Sequence, residues 1–559
     1  MNKDIVFINP LAHVRYEFNP LGLQLLAKSC KDNGFNANII DLANDFIKEN
    51  KIFDNSTKKW IEDKIKDIDS DIIGITVMNA SLPWVEYIIK VIKNEDKNKK
   101  IILGGPQVTA LQSELFKLFG NQVDYLVVYV YEGEQVIVRL IEFIKSKKSV
   151  SDLPNNVYTI DDDLQIKYSS IGYEKVDFGI VEDIDFSDYK TSALINIEVG
   201  RGCPLDCYFC SSKIINAGRV EYREANVFVE EAQKAFLNSE NSKVVISFNH
   251  DNFLSNKRKF KEFASYKLEN NYFFPYVCEG RIDALDFEMI DLLYETNCRS
   301  IFFGIESGSE KIQKLSRKNL RIGTDIFEKV KYMRQKGIVV ELNFLVGFLE
   351  ETTSDLMQTI ELAGKLSSID YFSAPNHSLL SPEPGAYITS VTSQVDYILR
   401  KDSVFYKDLI NSSMPIQSYN SKFFNHLYMI KNKNYDIEVM GVTASKYFEF
   451  LKFFHFTTKM ITEIWNKTYT EIFEGILENE VGGYISVVIK NMKDSLTVLQ
   501  EEIITYELQR YWSITGRTDE QPFMYEYPIQ MIYFELLETE QLFYDLQKYL
   551  PKKTKVRMA

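Results

Sequence analysis

The sequence predicts an α/β protein in three parts: a doubly wound parallel sheet, a partial (β/α)6 barrel and a mainly helical C-terminal domain. Three observations predict it. Residues 4 to about 146 alternate short β-branched runs with amphipathic stretches, a second alternating series begins near residue 193, and the alternation stops beyond about residue 390.

In the first series the strands are "DIVFINP", "NANIIDL", "DIIGITVM", "KIILGGP" and "YLVVYV", each followed by a helical pattern. Five βα units imply a flavodoxin-like sheet over residues 1–146, whose ligands bind beyond the carboxyl ends of the strands. That places the loops near Asn9, Met78, Gly104 and Tyr131 at a binding crevice. No G-x-G-x-x-G follows the first strand, so a dinucleotide site lacks its main support. The loops carry "LGGPQVTA" and "VYEGEQVIVRL" instead. Gly104 and Gly105 let backbone approach a bulky ligand, while Glu132, Gly133 and Glu134 stand where a helix begins and its amides can hold an acceptor. The competing reading is a set of tight turns with no ligand.

Residues 147–192 form a Ser- and Asp-rich link in which "NVYTIDDDLQIKYS" reads as a hairpin. The second series, residues 193–389, has the strands "LINIEV", "KVVISF", "FFPYVC", "SIFFG", "VVELNFLVG" and "YFSAPNH". Six units suggest a partial barrel with its chemistry at the strand carboxyl ends. Residues 390–559 look helical, and aromatic stretches such as "KYFEFLKFFHFTTKM" and "YFELLETEQLFYDLQKYL" read as core faces that also have the chemistry to line a pocket.

Composition bounds the partners. Lys plus Arg is 65 against 79 Asp plus Glu, a formal charge of −14, which disfavours a grip on bulk nucleic acid. No apolar run approaches the ~20 residues that cross a bilayer, and "MNKDIVFINP" enters a strand where a signal peptide would have its cleavable apolar core, so a cytoplasmic protein is expected. Six cysteines in 559 residues are too few for a disulfide-stapled chain. Cys30, Cys278 and Cys298 stand singly and read as inert thiols, whereas Cys203, Cys207 and Cys210 are crowded into "GRGCPLDCYFC", directly after the first barrel strand.

Thiolates select soft metals: zinc, cuprous copper or iron–sulfur clusters. Zinc asks for four ligands, and the next His or Cys after Cys210 is His250. A 4Fe–4S cluster on three cysteines leaves one iron open to a small molecule, and the motif favours that reading over zinc.

The segment resembles the radical S-adenosylmethionine (SAM) superfamily, whose C-x3-C-x-Φ-C motif, Φ aromatic, is matched by Cys203, Cys207, Phe209 and Cys210. The resemblance implies a 4Fe–4S cluster whose open iron chelates the methionine end of SAM, and reductive cleavage of SAM to a 5′-deoxyadenosyl radical. It further implies that Phe209 faces the adenine, that Asn249 and Asp251 of "FNHDNF" lie beside the SAM amino group, and that Arg281 of "CEGRID" pairs with its carboxylate. Glu306 and Ser307 of "FFGIESGSE" fall to the ribose, and Gly347 of "FLVGFLEET" admits the adenine. Arg281 and Glu306 also have a plainer reading, an ion pair in the barrel mouth.

A flavodoxin-like sheet with "LGGPQVT" and "YEGE" ahead of such a barrel is similar to the cobalamin-binding branch of that superfamily, and the two resemblances cover about residues 1–375. Two departures stand out: Tyr131 replaces the usual Gly before the acidic pair, and the D-x-H-x-x-G that supplies a histidine ligand is missing, since His13 lies in "LAHVRYE". The resemblance then implies that the loop "VMNASLPW", with Met78, Asn79 or Leu82, sits beneath the corrin. The cobalamin-binding expectation thus comprises Asn9, Met78, Asn79, Leu82, Gly104, Gly105, Glu132, Gly133 and Glu134.

What the resemblance implies about activity is methyl transfer from SAM through methylcobalamin to a carbon of a small molecule or peptide, in natural-product biosynthesis, with an electron donor such as flavodoxin or ferredoxin. Two rivals remain: a radical rearrangement, cyclisation or ring contraction, and a non-catalytic cobalamin or iron–sulfur sensor.

Overall fold

Short runs of Ile and Val, buried on both faces, build the parallel part of the first sheet in the computed structural model, which describes residues 3–12, 18–128, 133–161, 163–172, 184–370, 373–492 and 495–515. Two units are distinguished: residues 1–280, 295–298 and 381–429, and residues 281–294, 299–380 and 430–559.

In the first unit, β1 (Ile5–Asn9), β2 (Ala37–Asp41), β3 (Ile72–Thr76), β4 (Lys100–Gly104) and β5 (Tyr125–Val127) lie parallel in the order β2-β1-β3-β4-β5. Val6 sits opposite Ile73 and Ile102 opposite Tyr125. The hairpin expected in the linker, β6 (Val157–Ile160) and β7 (Ile166–Tyr168), instead extends this sheet antiparallel to β5, with Tyr125 opposite Thr159. Its pairing covers the edge that a three-residue β5 would leave open.

One core layer joins Ile73, Val77, Leu82, Trp84 and Ile88 to Leu409, Ile416, Tyr419, Phe424 and Leu427. Residues 381–429 therefore belong with the first sheet, although the sequence assigns those beyond 390 to a separate helical domain. Apolar spacing shows that a face is buried, not what covers it; each such side chain contributes about 1.5–3 kcal/mol wherever its partner comes from. Gln107 Nε2 secures the same packing, donating to Phe423 O and Asn425 Oδ1 at 3.1 Å each.

The barrel begins in this unit with β8 (Leu194–Glu198). A short ribbon follows, β9 (Gly200–Arg201) antiparallel to β10 (Glu221–Tyr222), and then β11 (Val245–Asn249) and β12 (Tyr276–Gly280). β8 pairs in parallel with β11, and β11 with β12. Aromatic rings fill the space beside β11: Phe248 stacks on Tyr276 at 4.6 Å and meets Phe253 and Phe263 edge-on.

The second unit carries β13 (Cys298–Glu306, whose first residue belongs to the first unit), β14 (Val339–Val346) and β15 (Ser373–Leu379), again parallel. Its helices include Ile437–Phe453, His455–Glu463, Tyr469–Glu478, Val481–Met492 and Val498–Thr515. Tyr447, Phe448, Phe450, Phe454 and Phe456 are buried there, so "KYFEFLKFFHFTTKM" is a core face. The stretch "YFELLETEQLFYDLQKYL" lies outside the described residues. Among the described residues no helix is long and apolar enough to cross a membrane.

Candidate active site

β8 runs into the three cysteines through Gly200, Arg201 and Gly202. Gly202 has φ +91°, and a Cβ there would lie 1.9 Å from the Arg219 carbonyl oxygen, so only glycine lets the ribbon close this tightly. Beyond it the chain coils: Cys210 N donates to Cys207 O at 3.1 Å, and Ser212 N donates to Cys210 Sγ at 3.4 Å. Asn252 Nδ2 lies 3.9 Å from Cys203 Sγ. Desolvation of its sulfur pushes the Cys210 thiol up to about 11, with the charges of Cys207, Asp251 and Cys203 adding to it, although the residue as a whole is exposed. Thiols so placed ionise on binding a cation, which is the donor chemistry of an iron–sulfur cluster. Among the described residues no three His, Cys, Asp or Glu side chains are gathered as a cage for one metal ion. A cubane makes a different demand, because each of its cysteines binds a separate iron. Phe209 is half-buried between these ligands.

The next two strand ends bring polar groups to the same side. Asn249, at the end of β11, is exposed. Asp251 Oδ2 accepts from Ser212 Oγ at 2.6 Å and from Asn216 Nδ2 at 3.0 Å, which ties this carboxylate to the turn that follows Cys210. His250 between them is buried and stacks on Tyr222 at 4.6 Å. Glu279, at the end of β12, was not among the sequence candidates. Desolvation of the carboxyl, with the charge of Asp251 adding to it, pushes it up to about 7, although the residue as a whole is exposed. The available signal was an acid two residues before Arg281, at a strand end.

In the second unit the sequence candidates meet other partners. Arg281 closes on Asp283, Nε to Oδ1 at 2.9 Å and Nη2 to Oδ2 at 2.7 Å, and donates to Lys318 O. Glu306 receives Lys318 Nζ at 2.9 Å. Each side chain of the expected Arg281–Glu306 pair thus has a partner of its own, Asp283 for one and Lys318 for the other. Glu306 sits at φ +66° beside a register shift in β13, and among the described residues its Oε2 has no partner. A strained non-glycine residue carrying a buried unsatisfied carboxylate oxygen suits a ligand hydroxyl. Ser307 does not share that position: it is fully buried, with Oγ 2.8 Å from Thr359 Oγ1. Gly347, at φ +97°, donates its N–H to Glu351 Oε2 at 2.9 Å, and Tyr435 OH bonds the same oxygen.

The crevice loops of the first sheet are mostly committed internally. Asn9 Nδ2 donates to Asp41 Oδ1 at 2.7 Å, and Leu82 is a core residue with no exposure. Asn79 Nδ2 lies 2.8 Å from both oxygens of Glu383, and its Oδ1 receives His426 N at 3.3 Å. Gly105, at φ +103°, packs where a Cβ would meet Val77 O at 2.9 Å, whereas Gly104 has ordinary clearance. Gly133 N donates to Glu134 Oε2 at 3.0 Å, and the Glu134 carboxylate is taken by Arg201. Burial pushes the Glu134 carboxyl up, and the Arg201 guanidinium more than reverses this, leaving it below the usual range. Met78 keeps an exposed side chain. Glu132, Tyr131 and His13 lie outside the described residues.

A switch-point crevice ahead of a β/α barrel, with three thiols just past the first barrel strand, defines an iron–sulfur enzyme that carries a second cofactor domain. Comparison with known families gives both parts their identity: the B12 binding domain matches residues 10–141 and the Radical SAM superfamily residues 197–363. The chain therefore carries a B12-binding domain and a radical SAM domain, whose cofactors are cobalamin, a 4Fe–4S cluster and SAM.

An uncharacterized methyltransferase of Pyrococcus horikoshii is 26% identical over 66% of this chain and 76% of its own length. An anaerobic magnesium-protoporphyrin IX monomethyl ester cyclase of Cereibacter sphaeroides is 22% identical over 64% of this chain, which spans 59% of that relative. The solved structure of the cobalamin-dependent S-adenosylmethionine radical enzyme OxsB with aqua-cobalamin superimposes with a TM-score of 0.59 at 14% identity, covering 92% of this chain and 82% of that one. That likeness is one of fold.

Proposed function

We propose that the chain is a methyltransferase that moves a methyl group from SAM to a carbon of a small molecule or peptide. The observation that carries this reading is the order of the two domains, B12-binding at 10–141 and radical SAM at 197–363, in a chain resembling a relative named a methyltransferase. When bound, the cofactors supply hydrogen abstraction and methyl carriage. The chain's own residues have the work of holding, orienting and excluding water.

In this reading Cys203, Cys207 and Cys210 hold the cluster, and Asn249 and Asp251 receive the SAM ammonium. Glu306 accepts from the ribose through the oxygen that has no hydrogen-bond partner among the described residues. Arg281, braced by Asp283, pairs with the SAM carboxylate. Ser307 supports the turn after Glu306. Residues 1–146 and 193–389 form the two cofactor domains, and the helical segment from about residue 390 to 559 selects the substrate. A flavodoxin or ferredoxin supplies the electron, and a cytosolic setting in natural-product biosynthesis belongs to the same proposal.

Feeding SAM labelled in its methyl group to the producing cells tests this reading. Label retained in a product one methylene heavier than its precursor supports methylation. A product that depends on the gene but carries no label favours the second reading, a cyclisation or rearrangement, for which the cyclase-named relative is the supporting observation.

A further inference from the structure

The end of β13 departs from regular strand geometry in several ways at once. Glu306 closes the strand at φ +66°, and the pairing with β14 slips between Gly304 and Glu306. Its ion-pair partner, Lys318, sits in a loop between Arg317 at φ +57° and Asn319 at φ +54°. Asn adopts this left-handed conformation readily, whereas Glu and Arg adopt it at a cost. Lys318 Nζ donates to Glu306 Oε1 at 2.9 Å, with the two side chains only 10% and 5% exposed. Gly304 makes room for the contact, since a Cβ there would overlap Glu306 Oε1 and lie 2.6 Å from Lys318 Nζ.

Both strained segments are fastened to one residue. Gln313 is buried, and its Nε2 donates to Ile305 O at 2.7 Å and to Ser307 O at 2.6 Å, the carbonyls on either side of Glu306. Its Oε1 accepts from Leu320 N at 3.1 Å, and its main-chain oxygen accepts from Asn319 N at 3.0 Å. The strand end and the Lys318 loop are therefore held in one frame. Arg281 Nη2 adds a further hold on that loop, donating to Lys318 O at 2.9 Å.

A buried ion pair is weak evidence of a stabilising role, because taking two charges out of water offsets much of their attraction. This pair also leaves half of its carboxylate unused: among the described residues Glu306 Oε2 has no partner. A carboxylate fixed through one oxygen, on strained backbone, with the other oxygen unmatched, is an acceptor prepared for a donor from outside the chain.

We propose that Lys318 is a positioning residue of the SAM site: locked in place through Gln313, its ammonium fixes the Glu306 carboxylate by Oε1, so that Oε2 is kept for a ligand hydroxyl. The inference rests on the reading that Glu306 accepts from the ribose, and adds to it a residue that acts through Glu306. An ammonium suits this task because it balances the buried charge and carries no acceptor of its own to compete for the ligand's proton. The arrangement also discriminates, since a ligand without the hydroxyl leaves the buried oxygen unpaired.

The test is the SAM affinity of the full chain with its cluster intact, measured by equilibrium dialysis without oxygen for wild type, Glu306→Gln, Lys318→Met and the double variant. Lys318→Met should weaken binding by about 10-fold in the wild-type background and by less than about 2-fold in the Glu306→Gln background, because a residue acting through Glu306 has little left to position once the carboxylate is gone. Lys318→Arg, which keeps a cation and its donors, should restore affinity to within about 3-fold of wild type. Lys318→Gln, a donor without charge, carries the same cycle if the Met variant does not fold. Equal losses in the two backgrounds overturn the inference, as does an Arg variant no better than the Met variant, or a Met variant that binds as wild type does. Glu306→Gln binding SAM with wild-type affinity would overturn the ribose reading itself, so the two failures are distinguishable.

Discussion

Arg201 closes on Glu134 with Nη2 2.5 Å from Oε1 and Nη1 3.2 Å from Oε2, in a pair whose side chains are only 6% and 5% exposed. The same guanidinium reaches Glu198 through Nε at 2.5 Å. Glu134 opens the helix after β5, within the B12-binding region, and Arg201 stands two residues before the first cysteine of the radical SAM region. One buried ionic contact thus ties the cobalamin domain to the loop that carries the cluster ligands.

Removing one partner should be costly, because it leaves a charge in the interior without its counter-ion. Arg201→Met, which strands both Glu134 and Glu198, should lower the unfolding free energy of the cofactor-free chain by about 3–5 kcal/mol, read by denaturant titration. A change near that of an exposed pair, under about 1 kcal/mol, would show that the contact is solvated.

Gly202→Ala should abolish cluster binding, because its Cβ would fall 1.9 Å from the Arg219 carbonyl oxygen. Iron and sulfide per chain after reconstitution measure this. Gly22→Ala, where nothing lies within 4 Å of the added Cβ, is the control and should keep its iron.

Glu306→Gln should weaken SAM binding by about 10-fold or more, the cost of losing a hydrogen bond to a charged acceptor. Equilibrium dialysis with intact cluster reads it. Unchanged affinity would remove Glu306 from the ribose site.

Glu351 links stability to pH. Burial pushes its carboxyl up to about 7 from an ordinary 4.5, against the donors Tyr435 and Gly347 N. The folded chain then binds more protons than the unfolded chain between those values. The contribution is fully present below pH 4.5 and is lost as pH rises to about 7. Glu351→Gln keeps an acceptor oxygen and sheds the charge. At pH 8 it should be more stable than wild type by on the order of 2–3 kcal/mol, and at pH 4.5 the two should converge. Parallel pH profiles of thermal midpoint would contradict this.

Much of this architecture was legible because its signals are local. The Ile- and Val-rich runs mark parallel strands, and the C-x3-C-x2-C spacing marks the thiol loop whatever surrounds it. What escaped depends on partners distant in the chain. Glu134 opens a helix and reads as part of an acceptor site, but Arg201, which takes its carboxylate, lies far along the sequence. Asn79 reads as a ligand residue until Glu383 and His426 are seen to hold it. Ser307 follows a plausible ribose acid, yet its hydroxyl turns inward to Thr359. A motif reports which residue types meet and leaves open which way a side chain faces.

The central claim is that this radical SAM, cobalamin-binding chain transfers methyl groups. Its most direct test is the product distribution from SAM when the reconstituted protein, loaded with cobalamin, is given a strong reductant without oxygen. Formation of both S-adenosylhomocysteine and 5′-deoxyadenosine is the predicted result. Deoxyadenosine formed with no S-adenosylhomocysteine at any substrate or reductant condition would contradict it.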